Sequence, residues 1–232
     1  MSTGITQQTP ARTRSRVRAG LSRQQVLDGA LSYIDEHGLA ALSMHKLGEA
    51  LGVKAMSLYN HVTNKDDLLN GVTDLLWSQV APPPARADSW HDIARTLAAS
   101  LREVVSEHPH PAHLLVSSQV LSEHALLLAD TYRTALVESG LPESSAEAFL
   151  RTIVTYSLGY SLAELSWSRA VPEAGEDELA QIRRVDSLLP PGASDHLLRT
   201  AIWFCAECDT TEQFELGISL MSAGLDATLT DC

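Results

Sequence analysis

The residues whose types and spacing could do chemistry lie in one stretch, Ser43 to Val62, which reads SMHKLGEALGVKAMSLYNHV. Two short segments of helical apolar spacing flank the Gly52 turn, the pattern of a helix-turn-helix. With Leu58 and Val62 facing inward, Ser57, Tyr59, Asn60 and His61 point outward, and folding alone does not require so many exposed hydrogen-bonding groups. Hydroxyl, amide and imidazole groups on one short helix can reach base edges and phosphates when that helix lies in a major groove. The chemistry this implies is recognition of double-stranded DNA rather than catalysis. The other reading of the same pattern is an αα corner, with the helix-turn-helix only a scaffold in a helical small-molecule-binding protein or a metal-dependent enzyme.

Charge weighs on that choice. The chain of 232 residues carries 17 Lys and Arg against 29 Asp and Glu, a formal net charge of −12. That excludes a generally basic protein that coats nucleic acid. The excess is uneven, because residues 1–70 hold eight basic side chains (Arg12, Arg14, Arg16, Arg18, Arg23, Lys46, Lys54, Lys65) and only six acidic ones. Residues 1–20 are polar and free of acid, so they read as a disordered basic arm. Lys65 opens the helix after the recognition segment, where its ammonium can meet a phosphate. Arm, lysine and local positive charge together favour DNA.

Other signals point away from catalysis. His108, His110 and His113 are separated by prolines that prevent the i, i+4 pairing of a helical His-x-x-x-His metal site, so a structural turn is expected and no metal. Cys205 and Cys208 form a lone Cys-x-x-Cys without a βαβ context, and default to buried thiols. There is no Gly-rich phosphate loop, Gly-x-Ser-x-Gly elbow or metalloprotease motif, and no cofactor is expected. No run approaches the roughly 18 apolar residues of a membrane span, and Met1–Gly20 lacks a signal-peptide core, so the expected location is the cytoplasm.

The elements that must position the recognition segment are helices. Ser22 with Gln25 forms a capping-box signature, and Val26, Leu27, Ala30, Leu31 and Ile34 follow at helical spacing until Gly38. Ser43 caps a second helix stopped by Gly52, and Lys54 to His61 makes a third. Asn64 caps a fourth, which carries Leu68, Leu69, Val72, Leu75, Leu76 and Val80 and ends at Pro82-Pro83-Pro84. Ser89 with Asp92 suggests a capping box for a fifth helix. Further helices are expected over Glu123–Ser139 and about Glu143–Arg169, then an acidic stretch punctuated by Pro and Gly over Val171–Ala193, then two closing helices, the last from Asp209. No alternating β pattern occurs, so the fold class is all-α.

Residues 22–80 resemble the DNA-binding domain of the tetracycline-repressor (TetR) family, through GALSYIDEHGLAALSMHKLGEALGVKAMSLYNHVTNKDDLL and its Leu-Tyr-x-His-Val-x-Asn-Lys signature. SLGYSLAELSW and FELGISLMSAGL further on are similar to that family's C-terminal domain. The resemblance implies a homodimeric, ligand-responsive transcriptional regulator: a disordered arm over 1–20, a helix-turn-helix domain over 21–66, and an effector-binding and dimerisation domain over 67–232. It places Ser43 and Lys46 at the backbone end of the supporting helix, Lys54, Ala55, Met56, Ser57, Tyr59 and Asn60 on the reading face, and His61 and Lys65 on phosphates. His45 and Ala55 stand where tetracycline repressors use an arginine and a glutamine for base contacts, so a different operator sequence is implied. DNA binding without a ligand stays open as a variant of this reading.

Two-fold pairing is expected through Ile153, Tyr156, Tyr160, Leu216, Leu220 and Met221, because apolar residues wrap too far around both helices for one buried face. Leu97 and Leu101 stand where family members that chelate a metal-drug complex carry polar residues. An apolar or aromatic effector is therefore expected, lined by Trp90, Leu97, Leu101, His113, Tyr132, Tyr156, Tyr160 and Trp203. Its identity stays unknown from the sequence.

Overall fold

The computed structural model describes residues 21–117, 121–167, 178–205 and 210–230, all helix, turn or loop, with no strand among them. The all-α expectation therefore holds. The first helix, α1 (Arg23–His37), begins with the anticipated capping box, since Ser22 Oγ accepts from the Gln25 N–H and Gln25 Oε1 accepts from the Ser22 N–H. Its buried face is Val26, Leu27, Ala30, Leu31 and Ile34. A single 3-10 turn over Leu39–Ala41 leads to α2 (Met44–Ala50), where Ser43 Oγ accepts from the Lys46 N–H. Gly52 follows at φ 66°, a left-handed turn that only glycine adopts without cost.

The third helix, α3 (Ala55–Leu58), is shorter than the predicted span from Lys54 to His61. Tyr59 to His61 continue as tight turns, with the His61 N–H donating to Leu58 O at 2.9 Å. Asn64 Oδ1 accepts from the Asp67 N–H and starts α4 (Lys65–Ser78), which packs on both α1 and α7 (Glu123–Glu138).

Beyond the prolines, α5 (Trp90–Glu107) lacks the capping box read into Ser89 and Asp92. The Ser89 hydroxyl instead donates to Asp92 Oδ2 at 3.1 Å, because the carboxylate is a stronger acceptor than a hydroxyl is for a backbone N–H. A short α6 (Leu114–Ser117) precedes α7, and α8 (Glu143–Trp167) runs along α5.

The acidic stretch after α8, punctuated by Pro and Gly, contains a helix that its sequence does not announce, α9 (Glu178–Leu188). Its Val185 is buried against Leu198, Ala201 and Ile202 of α10 (Asp195–Cys205), so partnership with α10 rather than local propensity orders it. The chain closes with α11 (Thr210–Thr230); Asp209, its predicted first residue, lies outside the described residues.

One continuous apolar core joins Leu31, Leu47 and Leu58 near the N-terminus to Leu97 and Leu101 on α5, Ile153 on α8 and Phe214 on α11. Full burial of each such leucine contributes about 1.5–3 kcal/mol.

Candidate nucleic-acid interface and effector cavity

The recognition segment is held from behind and open in front. Leu47, Leu58 and Val62 are buried, fixing α2 and α3 against α1 and α4. Gly48, to which sequence reasoning gave no role, is also buried; a Cβ there would lie 3.0 Å from Ala55 N and Val53 O, so the two helices meet nearly backbone to backbone. In front, Met56 is 74% exposed and Tyr59 45% exposed. Lys54 and Asn60 share this exposure, while Ala55, Ser57 and His61 are half-buried beside them. An exposed methionine beside an exposed tyrosine on one turn of helix gains nothing within the monomer and suits contact with a partner surface.

The supporting positions are more varied. Lys46 and His45 are exposed on α2, with His45 Nδ1 3.5 Å from Glu49 Oε1, a solvent-facing pair of small energetic weight. Ser43 is used as the α2 cap. Lys65, read from sequence as a phosphate contact, donates from Nζ to the backbone carbonyl of Leu42 at 2.8 Å, bracing the start of α4 against the approach to α2.

Arg23 is the residue that sequence reasoning missed. Its guanidinium donates to His61 O at 2.6 Å and to Asp67 Oδ1 at 2.7 Å, clamping the end of the recognition segment to α1 and α4. Asp67 also accepts from the Thr63 N–H at 2.7 Å. Arg23 first, then Thr63, hold the Asp67 carboxyl down at about 2. The pairing spans 44 residues of sequence, so no local pattern announces it.

Two polar joints link these helices to the remainder of the chain. Nδ1 of His108 donates to Asp35 Oδ2 at 2.7 Å, and Nδ1 of His110 donates to Asp35 O at 2.8 Å, tying the end of α5 to the end of α1. Two imidazoles of the His-Pro loop are thus engaged with the end of α1. On α4, Asp74 accepts from Ser122 Oγ, from the His124 N–H at 3.1 Å and from His124 Nδ1 at 2.6 Å. Burial pushes the Asp74 carboxyl up, but these donors outweigh it and leave it below the usual carboxylate range.

Among the described residues, most of the expected effector-lining side chains pack in the core rather than line the cavity between α5, α8 and α11. Leu97, Leu101 and Tyr132 are fully buried, and Trp90 packs edge-on against Phe149, so these side chains fill the core themselves. The Tyr132 hydroxyl donates to Ala81 O at 2.9 Å and pins the proline linker. Tyr156 and Tyr160 pack on Phe214, and their hydroxyls donate to Phe214 O and Thr210 O, joining α8 to α11. His113 is exposed, and the Trp203 side chain lies outside the described residues.

A cavity of about 640 Å³ opens instead between the other face of α5, the C-terminal half of α8 and the start of α11. Its walls include Ala99, Val105, Leu165 and Phe214 together with Arg102, Glu103, Glu164, Glu215 and Ser161. Arg102 grips Glu164 bidentately, Nε to Oε2 at 2.9 Å and Nη2 to Oε1 at 2.6 Å, and lies 5.2 Å above the Phe214 ring. The expected pairing residues divide. Leu216 and Leu220 are exposed on α11, Met221 is half-buried, and Ile153 is buried within its own subunit.

Residues 26–72 match the family "Bacterial regulatory proteins, tetR family", and residues 82–229 match "Tetracyclin repressor-like, C-terminal domain". The chain is 29% identical over 216 residues to an HTH-type transcriptional regulator of Saccharopolyspora erythraea, covering 92% of this chain and 88% of that one. It is 26% identical to the class D tetracycline repressor protein of Escherichia coli, over 91% and 92% of the two chains. The Streptomyces coelicolor TetR family protein ActR, in complex with (S)-DNPA, superposes with a TM-score of 0.71 at 27% identity, covering 90% of this chain and 99% of that one. Recognition helix, helical C-terminal half and both family matches agree: the chain belongs to the TetR family of bacterial transcriptional regulators.

Proposed function

We propose that this protein is a repressor that binds a palindromic operator in double-stranded DNA as a homodimer and releases it when a small effector occupies the helical C-terminal half. The observation that carries this reading is the exposed surface of Met56 and Tyr59, presented by a helix whose opposite side, Leu58, is fully buried. Lys54, Ala55, Ser57 and Asn60 surround it as the reading face with His45 nearby, His61 contacts a phosphate, and Ser43 and Lys46 lie towards the sugar-phosphate backbone. Residues 21–66 form the reading domain, residues 67–232 the effector-binding and pairing domain, and the arginines of residues 1–20 add phosphate contacts.

A recognition helix of one turn reads only a few base pairs, so specificity needs two copies about one helical turn of DNA apart. Exposed Leu216 and Leu220 on α11 supply an apolar face for two-fold pairing. An effector that prefers one spacing of the two reading heads shifts the population away from DNA. The similarity to ActR, solved in complex with (S)-DNPA, supports response to a small molecule. Such a regulator works in the cytoplasm and needs no turnover.

Selection of bound sequences from a random DNA pool, followed by gel shift on the selected site, tests this reading. A palindromic consensus bound by a dimer is expected; a non-symmetric site bound by single chains would overturn it.

A further inference from the structure

The cavity between α5, α8 and α11 has a chemical character of its own. Three carboxylates and one guanidinium line it, and Arg102 and Glu164 already satisfy one another. Glu103 and Glu215 are left with a surplus of negative charge at the rim, both exposed. Below them the walls are apolar: Ala99, Val105, Leu165 and Phe214. The volume, about 640 Å³, suits one drug-sized molecule.

A second observation points to an occupant. Ser161 is only 2% exposed, lines the cavity, and its Oγ has no hydrogen-bond partner among the described residues. One turn earlier on α8, Ser157 is fully buried and its Oγ is equally unpartnered among the described residues. A helical serine ordinarily satisfies itself on the carbonyl four residues back, and an orphaned buried hydroxyl costs about 1–3 kcal/mol. Such groups are retained where something else completes them.

Resting on the reading of this chain as an effector-responsive regulator, we infer that the effector is a cationic amphiphile. Its apolar or aromatic body lies on Ala99 and Leu165, its positive nitrogen faces Glu103 and Glu215, and a polar group on the body pairs with Ser161. This narrows the apolar effector expected from sequence by adding a positive charge. Arg102 does not oppose the cation, because Glu164 neutralises it through two short hydrogen bonds.

The test is fluorescence anisotropy of the full chain, without DNA, against two dyes sharing a xanthene ring system: cationic rhodamine 6G and anionic fluorescein. Rhodamine 6G is expected to bind one per chain, at least tenfold tighter than fluorescein. The double variant Glu103→Gln/Glu215→Gln should weaken rhodamine binding roughly five- to tenfold. The remote pair Glu123→Gln/Glu138→Gln on α7, which removes the same net charge, should leave it unchanged. Ser161→Ala should weaken binding while leaving the melting temperature of the free protein equal or higher, since its hydroxyl satisfies nothing there.

Equal or tighter binding of fluorescein, binding of neither dye, or indifference to Glu103→Gln/Glu215→Gln would overturn the assignment. Operator gel shifts separate this from the regulatory reading. Tight rhodamine binding with the operator still held leaves the cavity assignment standing and sinks effector release, whereas release by an anionic or neutral compound that ignores Glu103 and Glu215 does the reverse.

Discussion

Asp35 Oδ2, near the end of α1, lies 2.7 Å from Nδ1 of His108, at the end of α5. His108 Nε2 is in turn 2.9 Å from Gln79 Oε1, beyond the end of α4. Three elements therefore meet at one imidazole, which ties the end of α5 to α1 and to the segment beyond α4. His108→Ala and Asp35→Ala should each reduce the effector-induced loss of operator affinity several-fold, with an unfolding cost of about 1 kcal/mol. Gel-shift titrations with and without effector, set beside urea unfolding, check both halves of this statement.

Tyr59→Ala removes a 45% exposed side chain. It should cost roughly 1–3 kcal/mol of operator binding and leave the melting temperature within a degree. Lys46→Ala should instead weaken binding to all sequences alike and lower the salt slope by about one. Binding isotherms at four salt concentrations distinguish these outcomes.

Leu216 and Leu220 are 48% and 64% exposed on α11. Leu216→Arg/Leu220→Arg should leave the helix folded, by circular dichroism, but shift sedimentation to single chains and abolish operator binding. A folded variant that still sediments as a dimer would move the pairing face elsewhere.

Asp67 is held at about 2 by Arg23 and Thr63, against 3.8 when unperturbed. A depressed carboxylate contributes stability that is complete above the unfolded value and is lost as pH falls from about 4 towards 2. Arg23→Gln should flatten the acid limb of the stability curve in that window and raise the Asp67 titration midpoint seen by carbon NMR. The Arg23 side chain is 46% exposed, so solvent screening keeps the contribution modest.

Gly217 faces the Tyr156 ring so closely that an added Cβ would stand 2.0 Å from the tyrosine hydroxyl oxygen. Tyr156 is wedged against Phe214 and Tyr160 and donates to Phe214 O, so it cannot swing aside freely. Gly217→Ala should destabilise the protein by about 1–3 kcal/mol, measured by thermal or urea unfolding.

The helix-turn-helix was legible because everything that builds it is local. Ser22, Ser43 and Asn64 cap within three residues of themselves, Gly52 turns in place, the apolar spacing of α1 matches its buried face, and that of α4 gives Leu68, Val72 and Leu76 of its buried face. Local capping logic failed at Ser89, where a competing carboxylate captured the hydroxyl. It also failed at α9, whose order depends on Val185 meeting α10.

The sequence by itself determined the all-helical class, the helix-turn-helix and the exposure of Tyr59 and Asn60, because these follow from periodicity and end-capping over a few residues. Only the tertiary structure decided what Arg23, Asp35, Asp74 and Arg102 do, since each finds its partner dozens of residues away. It also decided that Leu97 and Leu101 fill the core while Arg102, Glu103 and Ser161 line the cavity. The pattern of α5 shows which residues are apolar, but whether an apolar side chain packs or borders a void depends on what the facing helices place opposite it.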